Sequence, residues 1–195
     1  EILKEICSLN MMIISDEIYH GLVYGKKENT VLEFTDNAIV VSGFSKLYSM
    51  TGWRLGYMIV PPGLVRYVQK LQQNLFICAN PFVQFAGVEA IEKIKIKSDY
   101  IATLFNERRL EMIKGLRSIG FEFSYEPSGA FYIYVNSSRI SDDSYELAFN
   151  ILRNSGVAVT PGIDFSEREK SYLRFSYATS VESIKEGINR LAEYL

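Results

Sequence analysis

The sequence contains few of the residues that build metal centres and disulfide frameworks. Its 195 residues include two cysteines, Cys7 and Cys78, and one histidine, His20. The cysteines are far apart and fit no metal-type spacing, which favours two free thiols in a reducing, cytoplasmic compartment. No apolar run approaches the roughly 18 residues that a membrane-spanning helix needs. We therefore expect neither a metal site nor a membrane segment.

An excess of charge of one sign is also missing. The chain has 21 Lys and Arg residues against 23 Asp and Glu, for a net charge of -2, and the two signs are interleaved. Nucleic acids and anionic membranes attract basic surfaces, so we expect neither as a partner. A hydrophobic share of 48% is typical of globular proteins. The length allows one medium domain or two small ones.

The first half of the sequence indicates an open α/β sheet. Three apolar runs predict buried strands at 11–14, 38–41 and 55–60, and polar or small residues follow the first two. Ligands of such sheets collect outside the carboxyl ends of the strands. The link before the third strand is short for a parallel crossover, which leaves an antiparallel third strand open.

The second half predicts long helices and then a small, largely antiparallel sheet with helices on one face. The boundary is expected within the helical region, which gives domains of residues 1–95 and 96–195. Helical spacing and caps predict helices at 64–76, 83–95, 98–119, 142–154 and 181–195. Alternating or apolar runs predict strands at 121–125, 130–135, 157–159 and 172–177.

The run SGFSKLYSMTGWRLGY, residues 42–57, carries the strongest chemical signal. It places Lys46 and Arg54 eight residues apart among small residues, between two apolar segments. A lysine amine held near a cofactor can act as a nucleophile. The planar guanidinium of an arginine suits a phosphate. A Schiff-base lysine beside a phosphate clamp is what a pyridoxal phosphate site needs.

This run resembles the lysine signature of the class I and II aminotransferases, in its form SK-x-x-x-x-TGWR-[LIV]-GY. The resemblance implies that Lys46 holds pyridoxal 5'-phosphate covalently and then acts as the general base. It implies that Arg54 binds the cofactor phosphate. Many members carry a phosphate-binding serine where this chain has Gly43. Ser42 or Ser45 can substitute, and Ser45 is included among the expected cofactor-binding residues.

Two further groups of residues fit the same family, one around Asp16 and one around Arg174. The DE-x-Y step places Asp16 and Tyr19 at the end of the first predicted strand. The resemblance implies that Asp16 pairs with the pyridine nitrogen and that Tyr19 contacts the 3-oxygen of the ring. Glu17 and His20 are interpreted as structural or peripheral.

Arg174 lies in the middle of the apolar strand YLRFSY. A buried, unpaired guanidinium is costly, so Arg174 requires an anionic partner. An internal Asp or Glu could serve. The resemblance implies instead that Arg174 holds the substrate carboxylate. The segments GAFY (129–132) and VTPG (159–162) also resemble this family.

The resemblance covers the whole chain but only the carboxyl-terminal half of the family's length. It implies an α/β fold: part of the large-domain sheet of an aspartate-aminotransferase-like, fold-type-I enzyme, plus the α+β small C-terminal domain. The implied reaction moves an amino group from an amino acid to a 2-oxo acid, and the intact enzyme is expected to be a homodimer. The sequence starts with Glu1 inside a predicted helix, so we interpret the chain as a fragment that is inactive alone.

Two alternatives remain open. Fold-type-I lyases, decarboxylases and synthases share the lysine, although the TGWR stretch (51–54) favours aminotransferases. In a different class, some transcriptional regulators fuse a DNA-binding module to an aminotransferase-like effector domain.

Overall fold

The computed structural model describes residues 2–9, 11–94, 98–123 and 125–195. The chain divides into two compact units, residues 1–101 and 102–195. The predicted domain boundary between residues 95 and 96 lies outside the described residues. None of the helices in the described ranges is long and apolar enough to cross a membrane.

The first unit contains a three-stranded sheet in the order β1-β2-β3. Strand β1 (Ile13–Asp16) is parallel to β2 (Ala38–Gly43), and β2 is antiparallel to β3 (Gly56–Ile59). A strand is found at each of the three predicted places, and the third runs in the antiparallel direction that the short link left open. The first is shifted by two residues, because Met11 and Met12 precede β1 and Ser15 and Asp16 belong to it. Strands β1 and β2 therefore end at the same edge of the sheet.

Three helices complete this unit: α1 (Ile2–Ser8), α2 (Val65–Leu75) and α3 (Pro81–Ile94). Helix α3 begins at a proline, whose missing N–H is no loss in the first turn of a helix. Asn80, just before it, accepts a hydrogen bond on its side-chain oxygen from the backbone N–H of Phe82 at 3.0 Å. The predicted helices at 64–76 and 83–95 are confirmed over their described residues.

The expected burial of the outer strands is wrong. Ile13 packs against the buried residues Val31, Ala38 and Val40, whereas Ile14, which points to the opposite face, is 72% exposed. All four residues of β3 are exposed. Successive side chains of a strand point to opposite faces, and in the described residues only one face of β1 is packed.

The second unit combines α4 (Ser98–Ser118), which begins just before the division, with α5 (Ser144–Ser155) and α6 (Val181–Tyr194). Its antiparallel sheet has the order β4-β6-β5, with β4 at Tyr132–Asn136, β5 at Thr160–Pro161 and β6 at Tyr172–Ser176. The fold class is therefore confirmed as α/β with a smaller α+β layer.

The strands of this sheet alternate cleanly between two faces. Ile133, Val135, Leu173 and Phe175 are buried, and their intervening neighbours are partly exposed. Buried side chains from the helices complete this core, namely Leu116, Ile151, Ile184 and Leu191. Two predictions differ from the structure: 121–123 form no strand, with 124 outside the described residues, and the short β5 lies after 157–159 rather than within it.

Candidate functional site

The carboxyl ends of β1 and β2 bring together the residues singled out in the first unit. Asp16 is the last residue of β1 and pairs with Val41, so both strands end at one edge. Lys46 lies three residues after Gly43, the last residue of β2. Arg54 precedes Gly56, which pairs with Gly43 at the end of β2. The loop between Lys46 and Arg54 therefore starts and finishes at this edge.

The amine of Lys46 lies over the ring of Tyr19. Its Nζ is 5.5 Å from the ring centroid, within the range of a cation–π contact. Both side chains are half-buried. The structure thus brings the predicted cofactor lysine against the predicted ring-contacting tyrosine, from two segments of the chain that are far apart in sequence.

Asp16 shapes the turn that carries Tyr19. Its Oδ1 accepts a hydrogen bond from the backbone N–H of Ile18 at 3.1 Å, an Asx-type turn. The carboxylate is exposed at the sheet edge. Its position fits a ligand that approaches the carboxyl ends of the strands.

The loop that carries Lys46, residues 44–54, is closed by hydrogen bonds around the buried side chain of Phe44. The N–H of Met50 donates to the carbonyl of Phe44 at 3.1 Å, and both side chains are buried. The hydroxyl of Thr51 donates to the carbonyl of Ser45 at 3.0 Å. Ser45 is half-buried directly before Lys46. The backbone of the loop is therefore held in place on both sides of Lys46.

Tyr48 packs in the same loop, with its ring centroid 4.9 Å from that of Phe44. Burial raises the pKa of the Tyr48 phenol, and the neighbouring Tyr57 raises it further. Tyr48 therefore stays protonated through the neutral pH range and acts here as a packing group.

Arg54 adopts a backbone conformation that is uncommon for a residue other than glycine. Its φ of 55° lies in the left-handed region. Its Nη1 donates to the carbonyl of Thr51 at 3.0 Å, and its side chain is exposed. An exposed, always-charged guanidinium on the rim of the edge is suited to an anionic group.

Sequence reasoning set Glu17 aside, but the structure gives it a central place. Its carboxylate is buried and accepts hydrogen bonds from Ser15, Thr30 and Val31. His20 lies 3.4 Å away, from Nδ1 to Oε2 of Glu17. The only signal in the sequence was a charged residue directly after a predicted strand, because Thr30 and Val31 lie more than ten residues further along the chain.

Arg174 lies in the second unit, on the partly exposed face of its sheet. The guanidinium carbon is 4.2 Å from the ring centroid of Tyr132 and 4.7 Å from that of Phe165. Nη2 lies 3.4 Å from the hydroxyl oxygen of Thr160. Among the described residues, Nε is buried without a hydrogen-bond partner, and no carboxylate pairs with this arginine.

Tyr134 pairs with Arg174 across the β4–β6 ladder. Its ring stacks on that of Tyr172, with the ring centroids 5.1 Å apart. Burial raises the pKa of the Tyr134 phenol, and the negative charge of Glu169 raises it further. The sequence drew attention to Arg174 and to the two segments that supply Tyr132 and Thr160. It gave no sign of the role of Phe165, which reaches the guanidinium from the turn after β5.

The chain matches the family model described as aminotransferase class I and II over residues 1–191. It is 44% identical over 187 residues to a (5-formylfuran-3-yl)methyl phosphate transaminase of Methanocaldococcus jannaschii, covering 94% of this chain and 50% of that protein. It is 38% identical over 190 residues to a valine–pyruvate aminotransferase of Mycobacterium tuberculosis, covering 95% and 49%.

Solved structures agree with these relatives. A crystal structure of an aminotransferase from Mycobacterium tuberculosis superposes with a TM-score of 0.93 at 37% identity, covering all of this chain and 51% of that one. A Thermus thermophilus aspartate aminotransferase double mutant gives 0.90 at 29% identity, covering 100% and 51%. The chain spans about half the length of the curated relatives it matches. The chain belongs to the class I and II aminotransferase family.

Proposed function

We propose that the protein takes part in transamination and holds pyridoxal phosphate on Lys46. The family is generally dependent on this cofactor. The observation that carries the proposal is the Lys46 amine lying over the Tyr19 ring at the shared carboxyl edge of β1 and β2. This edge is where an α/β sheet binds its ligand.

The donor set of this edge fits the cofactor. When bound, pyridoxal phosphate acts as an electron sink for the bonds around the substrate α-carbon. Lys46 supplies the amine that attaches it, and Tyr19 supplies a phenol beside that amine. Asp16 supplies an exposed carboxylate for the ring nitrogen. Arg54, together with Ser45, supplies hydrogen-bond donors for the phosphate.

The same residues would also take part in the reaction once the cofactor is attached to Lys46. The Lys46 amine, once released, would carry a proton to and from the reacting carbon. A carboxylate beside the ring nitrogen favours its protonated form. In the second unit, Arg174 is assigned to the substrate carboxylate. Support comes from its buried Nε, which has no hydrogen-bond partner in the described ranges, since a buried polar group normally has one.

The partners follow from the reaction. We infer that the substrates are an amino acid and a 2-oxo acid, and that the working enzyme is a cytoplasmic homodimer. Members of the family are generally homodimeric. Aspartate, alanine and aromatic amino acids are all candidate amino donors, and amine transfer from each to 2-oxo acids should be compared using the intact enzyme, since we propose that this fragment alone is inactive.

Reductive trapping tests the proposal. The protein is incubated with pyridoxal phosphate, treated with borohydride, digested, and analysed by mass spectrometry for the labelled lysine. We expect the label on Lys46 and its loss in Lys46→Ala. Lys26→Ala removes an exposed lysine of the first unit and should leave the Lys46 label unchanged. Equal labelling of Lys46 and the exposed lysines would overturn the assignment.

A further inference from the structure

Glu17 carries a buried carboxylate at the end of β1. The residue is 8% exposed. Its Oε1 accepts three hydrogen bonds: from the hydroxyl of Ser15 at 3.1 Å, from the hydroxyl of Thr30 at 3.0 Å and from the N–H of Val31 at 2.9 Å. A buried carboxylate is tolerated only when such partners compensate it. Its position is therefore set by donors on two different segments.

The backbone of Glu17 is fixed as well. Its N–H donates to the carbonyl of Val41 at 2.8 Å, which extends the β1–β2 ladder by one step. Its carbonyl accepts from the hydroxyl of Ser42 at 3.1 Å. Glu17 is thus joined to β2 through its main chain and to the loop at 30–31 through its side chain.

The turn that presents Tyr19 starts from this fixed point. The N–H of His20 donates to the carbonyl of Glu17 at 3.1 Å, and the N–H of Leu22 donates to the carbonyl of Tyr19 at 3.0 Å. Leu22 and Val31 are both buried. Asp16 and Glu28 hold the same turn, because their carboxylates accept hydrogen bonds from the N–H groups of Ile18 at 3.1 Å and Gly21 at 2.7 Å. Glu17 is therefore one of the groups that set where Tyr19 lies, and it is the one whose side chain is buried.

We propose that Glu17 is a positioning residue, whose buried carboxylate holds the 17–22 turn so that the Tyr19 ring stays against the amine of Lys46. Glu17 acts through Tyr19 and touches no substrate. The effect of Glu17 on catalysis rests on the proposed function, since Tyr19 can contribute to the reaction only if Lys46 carries the cofactor. The geometric part can be tested without any cofactor.

The test uses the ring-current shift that Tyr19 imposes on Lys46. Reductive methylation with ¹³C-formaldehyde labels the lysines and keeps their charge. The Lys46 resonance is assigned with Lys46→Arg, and Tyr19→Leu gives its position without the ring. In Glu17→Ala we expect the Lys46 resonance to lose most of the ring-current shift and to approach its position in Tyr19→Leu.

Two variants make the result specific. In Glu17→Gln the amide oxygen can accept the same three hydrogen bonds, so the resonance should stay near that of the wild type. Asp36→Ala removes an exposed carboxylate of the same connection between β1 and β2. It should leave the Lys46 resonance in place. A purely stabilising role for Glu17 would lower the melting temperature without moving that resonance.

The outcomes separate the two proposals. A folded Glu17→Ala protein with an unmoved Lys46 resonance overturns the positioning role. Should Glu17→Ala fail to fold, the double variant Ser15→Ala/Thr30→Val removes two of the three donors and decides by the same criterion. A wild-type protein that fails to trap pyridoxal phosphate on Lys46 overturns the proposed function, while the resonance data still test the positioning role.

Discussion

Gly21 lies so close to the side chain of Leu47 that a Cβ on Gly21 would stand 2.5 Å from Leu47 Cδ2. The backbone φ of Gly21 is +85°, a conformation that glycine adopts without steric cost. This close approach presses the turn that carries Tyr19 against the residue after Lys46. The contact thereby brings the Tyr19 turn and the Lys46 segment together at the candidate cofactor edge of the sheet.

Gly21→Ala should therefore destabilise the protein and disturb the site. A Cβ forces Leu47 aside, and overpacking of this kind costs about 1–3 kcal/mol. Gly25→Ala is the matched control, because Gly25 also has a positive φ, of 67°, but has nothing within 4 Å of its Cβ position. Urea denaturation of both variants isolates the Leu47 contact. Equal losses in the two variants would contradict the close packing.

Asp143 caps helix α5 and is the subject of the second prediction. Its Oδ1 accepts a hydrogen bond from the N–H of Glu146 at 3.0 Å. Asp143→Ala should cost about 1 kcal/mol of unfolding free energy. Asp142→Ala removes the neighbouring carboxylate, which does not cap the helix, and should change stability by less than about 0.5 kcal/mol. A larger loss in Asp142→Ala would show that the cap is assigned to the wrong residue.

The same helix shows how far the sequence could predict the fold. The sequence predicts a cap at Ser141 or Asp142, whereas the structure has it at Asp143, one or two residues later. All three are cap formers, and helical periodicity predicts the helix more firmly than its first residue. The stop was clearer, because Gly156 is a single glycine and adopts a left-handed φ of 69°. A single glycine therefore predicts the end of the helix closely, whereas three adjacent cap formers leave its start uncertain by one or two residues.

The site divides in a similar way. Lys46 and Arg54 belong to one continuous motif, so the resemblance to the aminotransferase signature was enough to single them out. The hydrogen bonds that hold Glu17 could not be predicted, because Thr30 and Val31 reach it through an irregular loop that no periodicity describes. The exposure of Ile14 was equally hidden, since an all-apolar run does not tell which of its faces is packed.

Gly162 supports the surface around Arg174 and gives the third prediction. A Cβ there would collide with the carbonyl oxygen of Glu169 and stand 2.7 Å from the Tyr134 hydroxyl. Because a backbone carbonyl cannot move aside easily, Gly162→Ala should destabilise the protein by about 1–3 kcal/mol.

Gly187 provides the contrast within the same unit. It lies inside helix α6, and its Cβ would meet only Val157, at 4.0 Å. Gly187→Ala should stabilise the protein by up to about 1 kcal/mol, because alanine favours the helix. Thermal melts of both variants check the pair. A neutral Gly162→Ala would show that the turn after β5 can move away from Tyr134.

Tyr134 should make stability depend on pH in the alkaline range. Its pKa is raised in the folded state, first by burial and then by the charge of Glu169. A group of this kind contributes stability that is present below its unfolded pKa, near 10, and is lost as pH rises through its folded pKa. Between about pH 9 and pH 11, the wild type should therefore lose more stability than Tyr134→Phe.

Urea denaturation at several pH values in this window measures the effect. Tyr67→Phe is the control, because Tyr67 is an exposed tyrosine of helix α2. It should leave the alkaline loss of stability as in the wild type. An unchanged pH slope in Tyr134→Phe would mean that this phenol is not the group responsible.

At Arg54, the effect of the unusual backbone conformation can be separated from the proposed binding of the cofactor phosphate. Its left-handed φ of 55° costs about 1–2 kcal/mol for a residue with a Cβ, whereas glycine has no such cost but loses about 0.5–1 kcal/mol through chain entropy. Arg54→Gly should therefore remain within about 1 kcal/mol of wild-type stability. Ser49→Gly makes the same backbone change at a φ of 54° and removes no cation.

Arg54→Gly and Ser49→Gly should differ in how strongly they prefer pyridoxal phosphate over pyridoxal. Reductive trapping on Lys46 is measured with each aldehyde, because only the first carries the phosphate that a guanidinium can bind. Ser49→Gly should keep the wild-type preference for pyridoxal phosphate. Arg54→Gly should lose most of that preference while trapping pyridoxal as well as the wild type does. If Arg54→Gly keeps the preference, the phosphate is held by other donors, and Ser42 and Ser45 become the residues to substitute next.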